Sequence, residues 1–299
     1  MIAFDNVSVL FRRSRRAAIK ALDAVSFTVE PGEFFVLLGE NGAGKSTAMS
    51  CMLGLLRPTN GLVLLMGSRP DLGGDVYRGV GYLPEEPHHY PSYLTIEEAL
   101  DYYAKLYRRT PSQKQKLDLL ERLELAEFRD LRIGKCSKGM KQKVGIAQCL
   151  IGEPRILFLD EPMRGLDPVG VREFRRILVE MNRAGATVVM STHILSEVEH
   201  LATTIAILRR GRLAAHDRLE NLRRRDERCE VSFEGPPPDY LTEVEYQADG
   251  VHAILPVERT ADFFALAAAG RLRLHQFSER RPSLEETFLS VIGREETRV

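Results

Sequence analysis

The apolar run "FFVLL" (34–38) passes without a break into "GENGAGKST" (39–47), and a helical pattern near Ser46–Leu56 follows at once. That junction constrains the fold more than any other feature of the chain. Five consecutive apolar residues describe a strand covered on both faces. Gly39, four further residues and then Gly44-Lys45-Ser46 form a phosphate-binding loop between strand and helix. Glycines let backbone amides turn toward a polyphosphate without Cβ clashes, and the helix start adds its dipole. On this reading Gly39, Asn41, Gly42, Ala43, Gly44 and Thr47 cradle a nucleotide. Lys45 reaches its β- and γ-phosphates, and Ser46 ligates Mg²⁺.

Other segments support the same chemistry. "ILFL" (156–159), "TVVMS" (187–191) and "TTIAIL" (203–208) are further buried-strand candidates, alternating with helical patterns as in an α/β domain with a largely parallel sheet. "ILFLDE" (156–161) ends in two carboxylates. Asp160, at the carboxyl edge of the sheet, is placed to hold Mg²⁺ through water, and Glu161 to polarise an attacking water. An acidic pair is by itself an ordinary way to solvate a strand end, and a lone histidine such as His193 is usually structural. Both readings weaken beside a phosphate loop, because His193 follows the strand "TVVMS" to the same edge.

The remaining sequence divides around this core. Thr95-Ile96-Glu97-Glu98 is a capping box and Ser112 opens a second helix, so a helical insertion is expected at about 87–136. Asp167-Pro168 starts another helix, with the acid as cap and proline in the first turn. After "RRGRL" (209–213) the texture changes to "CEVSF" (229–233), the loop "EGPPPDY", two alternating segments near 243–255 and helices around Ala261–Ala269 and Leu284–Ile292. The expected division is a cassette over 1–215 and a small α+β appendage over 216–299. The 42 basic residues balance 42 acidic ones, which argues against binding nucleic acid through phosphate neutralisation. Cys51, Cys136, Cys149 and Cys229 form no metal-ligand spacing and fit a reducing cytosol. No apolar run reaches the roughly 18–20 residues of a membrane span, and "MIAFDNVSV" has no signal-peptide pattern. The expectation is a cytosolic chain whose membrane role, if any, is borrowed from a partner.

"CSKGM" (136–140) opens a helix whose apolar face already has Met140, Val144, Ala147 and Ile151. Ser137 caps exposed amides, and Lys138 and the helix dipole favour an anion, although an ordinary N-cap would look the same. With this segment the chain resembles the ATP-binding cassette family, the nucleotide-binding subunits of membrane transporters. "GENGAGKST" is similar to its Walker A motif, "ILFLDE" to Walker B, "CSKGM" to the signature, "GLD" (165–167) to the D-loop and "STH" (191–193) to the switch histidine, in order over residues 1–212.

The resemblance implies a P-loop NTPase cassette that hydrolyses ATP with Mg²⁺, using Lys45, Glu161 and His193. Its partners would be a second copy of itself or a homologous ATPase subunit, and integral membrane permease subunits that are separate chains. Two cassettes pair head to tail in that family, so Ser137 and Gly139 would cover the γ-phosphate of the partner's ATP, with Asp167 of the D-loop also among the nucleotide-binding residues and Arg164 near the seam. The segment 87–107, rich in His and Tyr, would receive the permease, placing the chain at the cytoplasmic side of the membrane. "GYLPEE", "SKGMKQK" and "PSLEETFL" (282–289) resemble the exporter branch that handles antibiotics, polysaccharides and drugs. Three residues depart from the pattern. Cys136 stands where Leu is usual. Glu85, in "GYLPEEP" (81–87), replaces the Q-loop glutamine and is the third metal-site candidate with Ser46 and Asp160. Arg164 takes the place of a small polar residue. The adenine-stacking aromatic aligns with Phe11, with Phe4 or a core role as alternatives. A soluble ATPase of the same fold acting on ribosomes or DNA is the competing class; translation factors of that kind carry two cassettes in one chain, and this chain has one.

Overall fold

The computed structural model describes residues 1–11, 18–72, 77, 79–85, 91–224, 228–247, 249–280 and 284–288. The chain forms two compact units, Met1–His216 and Asp217–Val299. The first is built on a six-stranded sheet in the order β5-β6-β7-β3-β8-β9. These strands are β3 (Phe34–Leu38), β5 (Val80–Leu83), β6 (Ile156–Asp160), β7 (Thr187–Thr192), β8 (Thr204–Arg209) and β9 (Arg212–Arg218). β5, β6, β7, β3 and β8 run parallel. Every residue of β3, β6 and β7 is buried. A parallel sheet covered on both faces needs such uniformly apolar strands. Arg210 and Gly211, both at positive φ, make the two-residue turn between β8 and β9.

A second, antiparallel sheet has the order β2-β1-β4, formed by β1 (Ile2–Phe11), β2 (Ile19–Val29) and β4 (Asn60–Leu65). Its apolar face supplies Ile2, Phe4, Val7, Phe27 and Val63 to the main core, with Phe27 stacked between Phe4 at 4.8 Å and Phe35 of β3 at 5.1 Å. α1 (Lys45–Met52) follows the phosphate-binding loop and is shorter than the expected Ser46–Leu56. Gly54 ends it: φ is +66°, the Leu55 amide bonds back to the Ser50 carbonyl at 2.9 Å, and a Cβ would lie 2.5 Å from the Pro70 backbone. This is a left-handed C-terminal stop that only glycine adopts at low cost.

Helices α2 (Ile96–Leu106), α3 (Gln113–Arg122) and α4 (Lys138–Ile151) lie in sequence between β5 and β6. Local chemistry sets their starts. Thr95 with Glu98 and Ser112 with Gln115 form complete capping boxes, and Ser137 caps α4 by accepting from the Met140 amide. α5 (Pro168–Arg183) is capped by Asp167, and α6 (Leu195–Leu201) follows β7.

The second unit is an antiparallel sheet in the order β11-β12-β10-β13, from β10 (Arg228–Glu234), β11 (Thr242–Gln247), β12 (Gly250–Pro256) and β13 (Arg273–Arg280). The unit also contains α7 (Leu219–Arg224), which precedes the sheet, and α8 (Thr260–Ala268). Phe263 of α8 meets Phe233 of β10 edge-on at 5.3 Å in a separate core with Cys229, Val231 and Leu255. β13 was not expected from the sequence. Residues 284–288 are helical, and the rest of the expected last helix, 289–292, lies outside the described residues.

Because the two cores share no residue, Phe233→Ala is expected to unfold the second unit by itself, at a cost of about 3–5 kcal/mol. Limited proteolysis should then trim the chain after residue 216 while nucleotide binding survives. Loss of both together would contradict separate cores.

Candidate nucleotide site

The site grows from the level at which three neighbouring strands stop. β7 lies between β3 and β6, and the register sets Leu38 beside Thr192 and Asp160 beside Ser191. The loop after β3, the carboxylates of β6 and the end of β7 therefore meet at one edge. This is the crevice outside the carboxyl ends of the strands where parallel sheets bind ligands.

The loop is shaped by close backbone approaches. A Cβ on buried Gly39 would fall 2.4 Å from the Leu208 carbonyl oxygen. Gly44 holds φ at +108°, and a Cβ there would lie 2.7 Å from the Ala21 carbonyl oxygen. Ala43 is buried, its carbonyl accepting from the Gly211 amide at 3.0 Å, while Asn41 and Gly42 form the exposed crest. Thr47, partly buried, lies in the first turn of α1, the helix that Lys45 opens.

Lys45 is buried, and its Nζ donates to the Gly39 and Glu40 carbonyls at 2.8 and 3.2 Å. Glu161 Oε1 lies 3.4 Å from the same ammonium. The Glu161 carboxylate also accepts from His193 Nδ1–H, with oxygens at 3.0 and 2.9 Å, which leaves Nε2 on the other side of the ring. Glu161 sits at φ +47°, a left-handed conformation costing about 1–3 kcal/mol in a residue with a long side chain. Its amide donates to both the carbonyl and the Oγ of Ser191, at 3.2 and 3.1 Å. The turn re-aims Glu161 away from plain strand alternation and toward Lys45 and His193.

Ser46 Oγ donates to Asp160 Oδ1 at 3.3 Å, and Ser191 Oγ donates to the same oxygen. A hydroxyl and a buried carboxylate are hard oxygen donors of the kind that hold Mg²⁺ when phosphate and water complete its shell. Among the described residues no group of three or more His, Cys, Asp or Glu gathers as a metal site. The pair fits a cation brought by a polyphosphate.

Other candidates lie elsewhere. Ser137, exposed, caps α4, and Gly139 sits where a Cβ would come within 3.2 Å of the Gly165 carbonyl oxygen. The Asp167 carboxylate accepts from the Gly170 amide at 2.7 Å. Among the described residues no hydrogen bond or ion pair joins 137–139 to the loop 39–47. Glu85 lies two residues beyond β5, and its carboxylate is paired with Arg164. Phe4 belongs to the core stack. Phe11 is half-exposed and pairs with Ile19 on β2, two residues before the Ala21 that closes on Gly44.

Two groups had no role in the sequence reading. Ser191 is fully buried and orients both Asp160 and the Glu161 backbone. Thr192 Oγ1 accepts from the Ile194 amide at 3.0 Å and donates to the buried Glu197 carboxylate at 2.7 Å, holding the backbone on either side of His193. Burial pushes the Glu197 carboxyl above its ordinary range despite that hydrogen bond. Burial also pushes the Tyr82 phenol up to about 12, with the Asp160 charge adding to it.

Gly44→Ala meets both an unfavourable φ and a backbone oxygen, so it is expected to cost more than about 1 kcal/mol. A lowered melting midpoint in thermal denaturation checks this. An unchanged midpoint would contradict the close approach to β2.

Comparison with known proteins agrees with this geometry. Residues 22–164 match the family model described as ABC transporter. The chain is 38% identical to an uncharacterized ABC transporter ATP-binding protein of Nostoc sp., over 93% of this chain and 85% of that one. It is 35% identical to a fluoroquinolones export ATP-binding protein of Mycobacterium tuberculosis, over 95% and 92% respectively. A solved dimeric ATP-binding cassette in a post-hydrolysis state, bound to ADP and Pi, superposes with a TM-score of 0.66 at 26% identity, over 73% of this chain and 99% of that one. The chain belongs to the family of ABC transporter ATP-binding proteins, the ATP-hydrolysing subunits of transporters.

Proposed function

We propose that this subunit powers export through separate membrane permease chains, acting as a head-to-tail pair that closes on two ATP molecules. One observation carries the reading. Lys45, Ser46, Asp160, Glu161 and His193 converge on one edge, while the anion-ready start of α4 makes no bond to the loop of its own chain. A helix start with a capping serine, a lysine and an approachable glycine suits a phosphate supplied from another chain. The dimeric relative with ADP and Pi and the exporter relative point the same way.

In this account the loop amides and Lys45 hold the β- and γ-phosphates, Phe11 stacks on adenine and Ser46 with Asp160 holds Mg²⁺. The metal supplies charge neutralisation on the phosphate oxygens. Glu161 accepts the proton of the attacking water, and His193, steered by Glu161 through Nδ1, offers Nε2 to the γ-phosphate. Lys45 Nζ reaches two carbonyls and Glu161, so a γ-phosphate held by the loop would share this ammonium with Glu161. The partner's Ser137 and Gly139 close the site, with Asp167 beside them. The helical insertion, with exposed Tyr93, Tyr102 and Leu106, receives the permease at the cytoplasmic side of the membrane. His88, His89 and Tyr90 of that segment lie outside the described residues.

Lys45→Ala is expected to lower ATP hydrolysis by about 100-fold or more, and Glu161→Gln by ~10²–10⁴-fold with nucleotide still bound. Ser191→Ala should weaken Mg²⁺-dependent nucleotide binding by roughly tenfold, since it removes the hydroxyl that orients Asp160. Near-native turnover of phosphate by Lys45→Ala would overturn the site. For export, cells carrying Glu161→Gln in place of the native chain should accumulate more fluoroquinolone than wild type. Equal accumulation would count against a drug of that class as cargo.

A further inference from the structure

The His193 ring is held by little besides Glu161. Its side chain is 46% exposed, and among the described residues its hydrogen bonds go to the Glu161 carboxylate alone. Ile194, the next residue, is also exposed, so packing does not fix this turn. Glu161 is an insecure hold during hydrolysis, since a carboxylate that takes a proton from water loses the charge that attracts the imidazole.

The backbone is held from another side. Thr192, fully buried, ends β7, and its Oγ1 donates to Glu197 Oε2 at 2.7 Å while accepting from the Ile194 amide at 3.0 Å. The Glu197 amide in turn donates to the Ile194 carbonyl at 3.2 Å. A hydroxyl carries one proton, so giving it to Glu197 leaves the oxygen lone pairs for the Ile194 amide. Glu197 is 5% exposed, and a carboxylate so buried is costly to leave without its donor. His193 therefore leaves the sheet between two anchored points, Thr192 before it and Ile194 with Glu197 after it.

We propose that Glu197 is a positioning residue for ATP hydrolysis: through Thr192 it sets the direction in which His193 leaves β7, and keeps Nε2 aimed at the γ-phosphate while Glu161 takes up the proton. The inference rests on the role of His193 given above. It adds a buried residue that touches neither nucleotide nor metal.

The test is a double-mutant cycle on the full chain, with Mg·ATP turnover, affinity for a fluorescent ATP analogue and the thermal midpoint all measured. Glu197→Ala should lower kcat by about 10- to 100-fold, the cost of misplacing a reacting group, with affinity for the analogue unchanged. In a His193→Ala chain the same change should have almost no further effect on kcat, because no ring is left to aim. Glu197→Gln should restore turnover to within about twofold of wild type, since its amide oxygen still accepts from Thr192. Thr192→Val removes the same bond without emptying a buried site, and should reproduce the fall in kcat even if Glu197→Ala does not fold. Equal factors with and without His193, equal losses for the Ala and Gln variants, or a lowered midpoint with kcat intact would each overturn the positioning role. A His193→Ala chain that turns over ATP like wild type would overturn the role of His193 itself, a result that this single change shows whatever Glu197 does.

Discussion

The hydrogen bond from Ser191 to Asp160 is the interaction on which the rest of the site depends. It exists because β7 lies between β3 and β6 in parallel register, so that the phosphate-binding loop and the acidic strand end meet across a single intervening strand. Ser191 also accepts the Glu161 amide, and thereby fixes the turn that sends the second carboxylate toward Lys45 and His193. A slip of one residue between β6 and β7 would carry both carboxylates away from the loop. The uniform burial of the three strands prevents such a slip, because either face of a shifted strand would meet a differently shaped core.

Glu161 beside that hydrogen bond is held at positive φ, while the loop uses glycine where no other residue fits: Gly44 at φ +108° and Gly39 against the Leu208 carbonyl. Such conformations persist where surrounding contacts over-determine them, as buried backbone bonds and the apolar core do here. The start of α4 is of another kind. Its capping serine is exposed and its close approach is to Gly165 and not to the loop, and on the proposed function it meets the anion of a partner chain.

What could be read from the sequence was what is local. The phosphate-binding loop, the capping boxes at Thr95 and Ser112, and the caps at Ser137 and Asp167 depend on residues three or four apart, and all four caps are formed in the structure. β1 could not be read in this way, since its register shifts three times against β2 and breaks the period-two pattern. β13, "RLHQFSER", is too polar to stand out as a strand until β10 is seen beside it. The role of Ser191 and the pairing of Glu85 with Arg164 depend on residues 31 and 79 positions apart, a distance over which local patterns carry no register. Helix α1 is shorter than its apolar pattern predicts because Gly54 takes a left-handed turn closed by the Leu55 amide on the Ser50 carbonyl, a local stop that the pattern to Leu56 passes over.

The central claim is that the site is completed by another copy of the chain, through Ser137. Size-exclusion chromatography of the Glu161→Gln chain, with and without Mg·ATP, tests it most directly when Ser137→Arg is added to the same protein. Ser137 is exposed, so the larger side chain is accommodated in the monomer for about 1 kcal/mol of lost capping. The account predicts an ATP-dependent dimer for Glu161→Gln, and a monomer that still binds ATP once Ser137→Arg is present. A Glu161→Gln chain that holds ATP yet stays monomeric, or a dimer indifferent to Ser137→Arg, would contradict it.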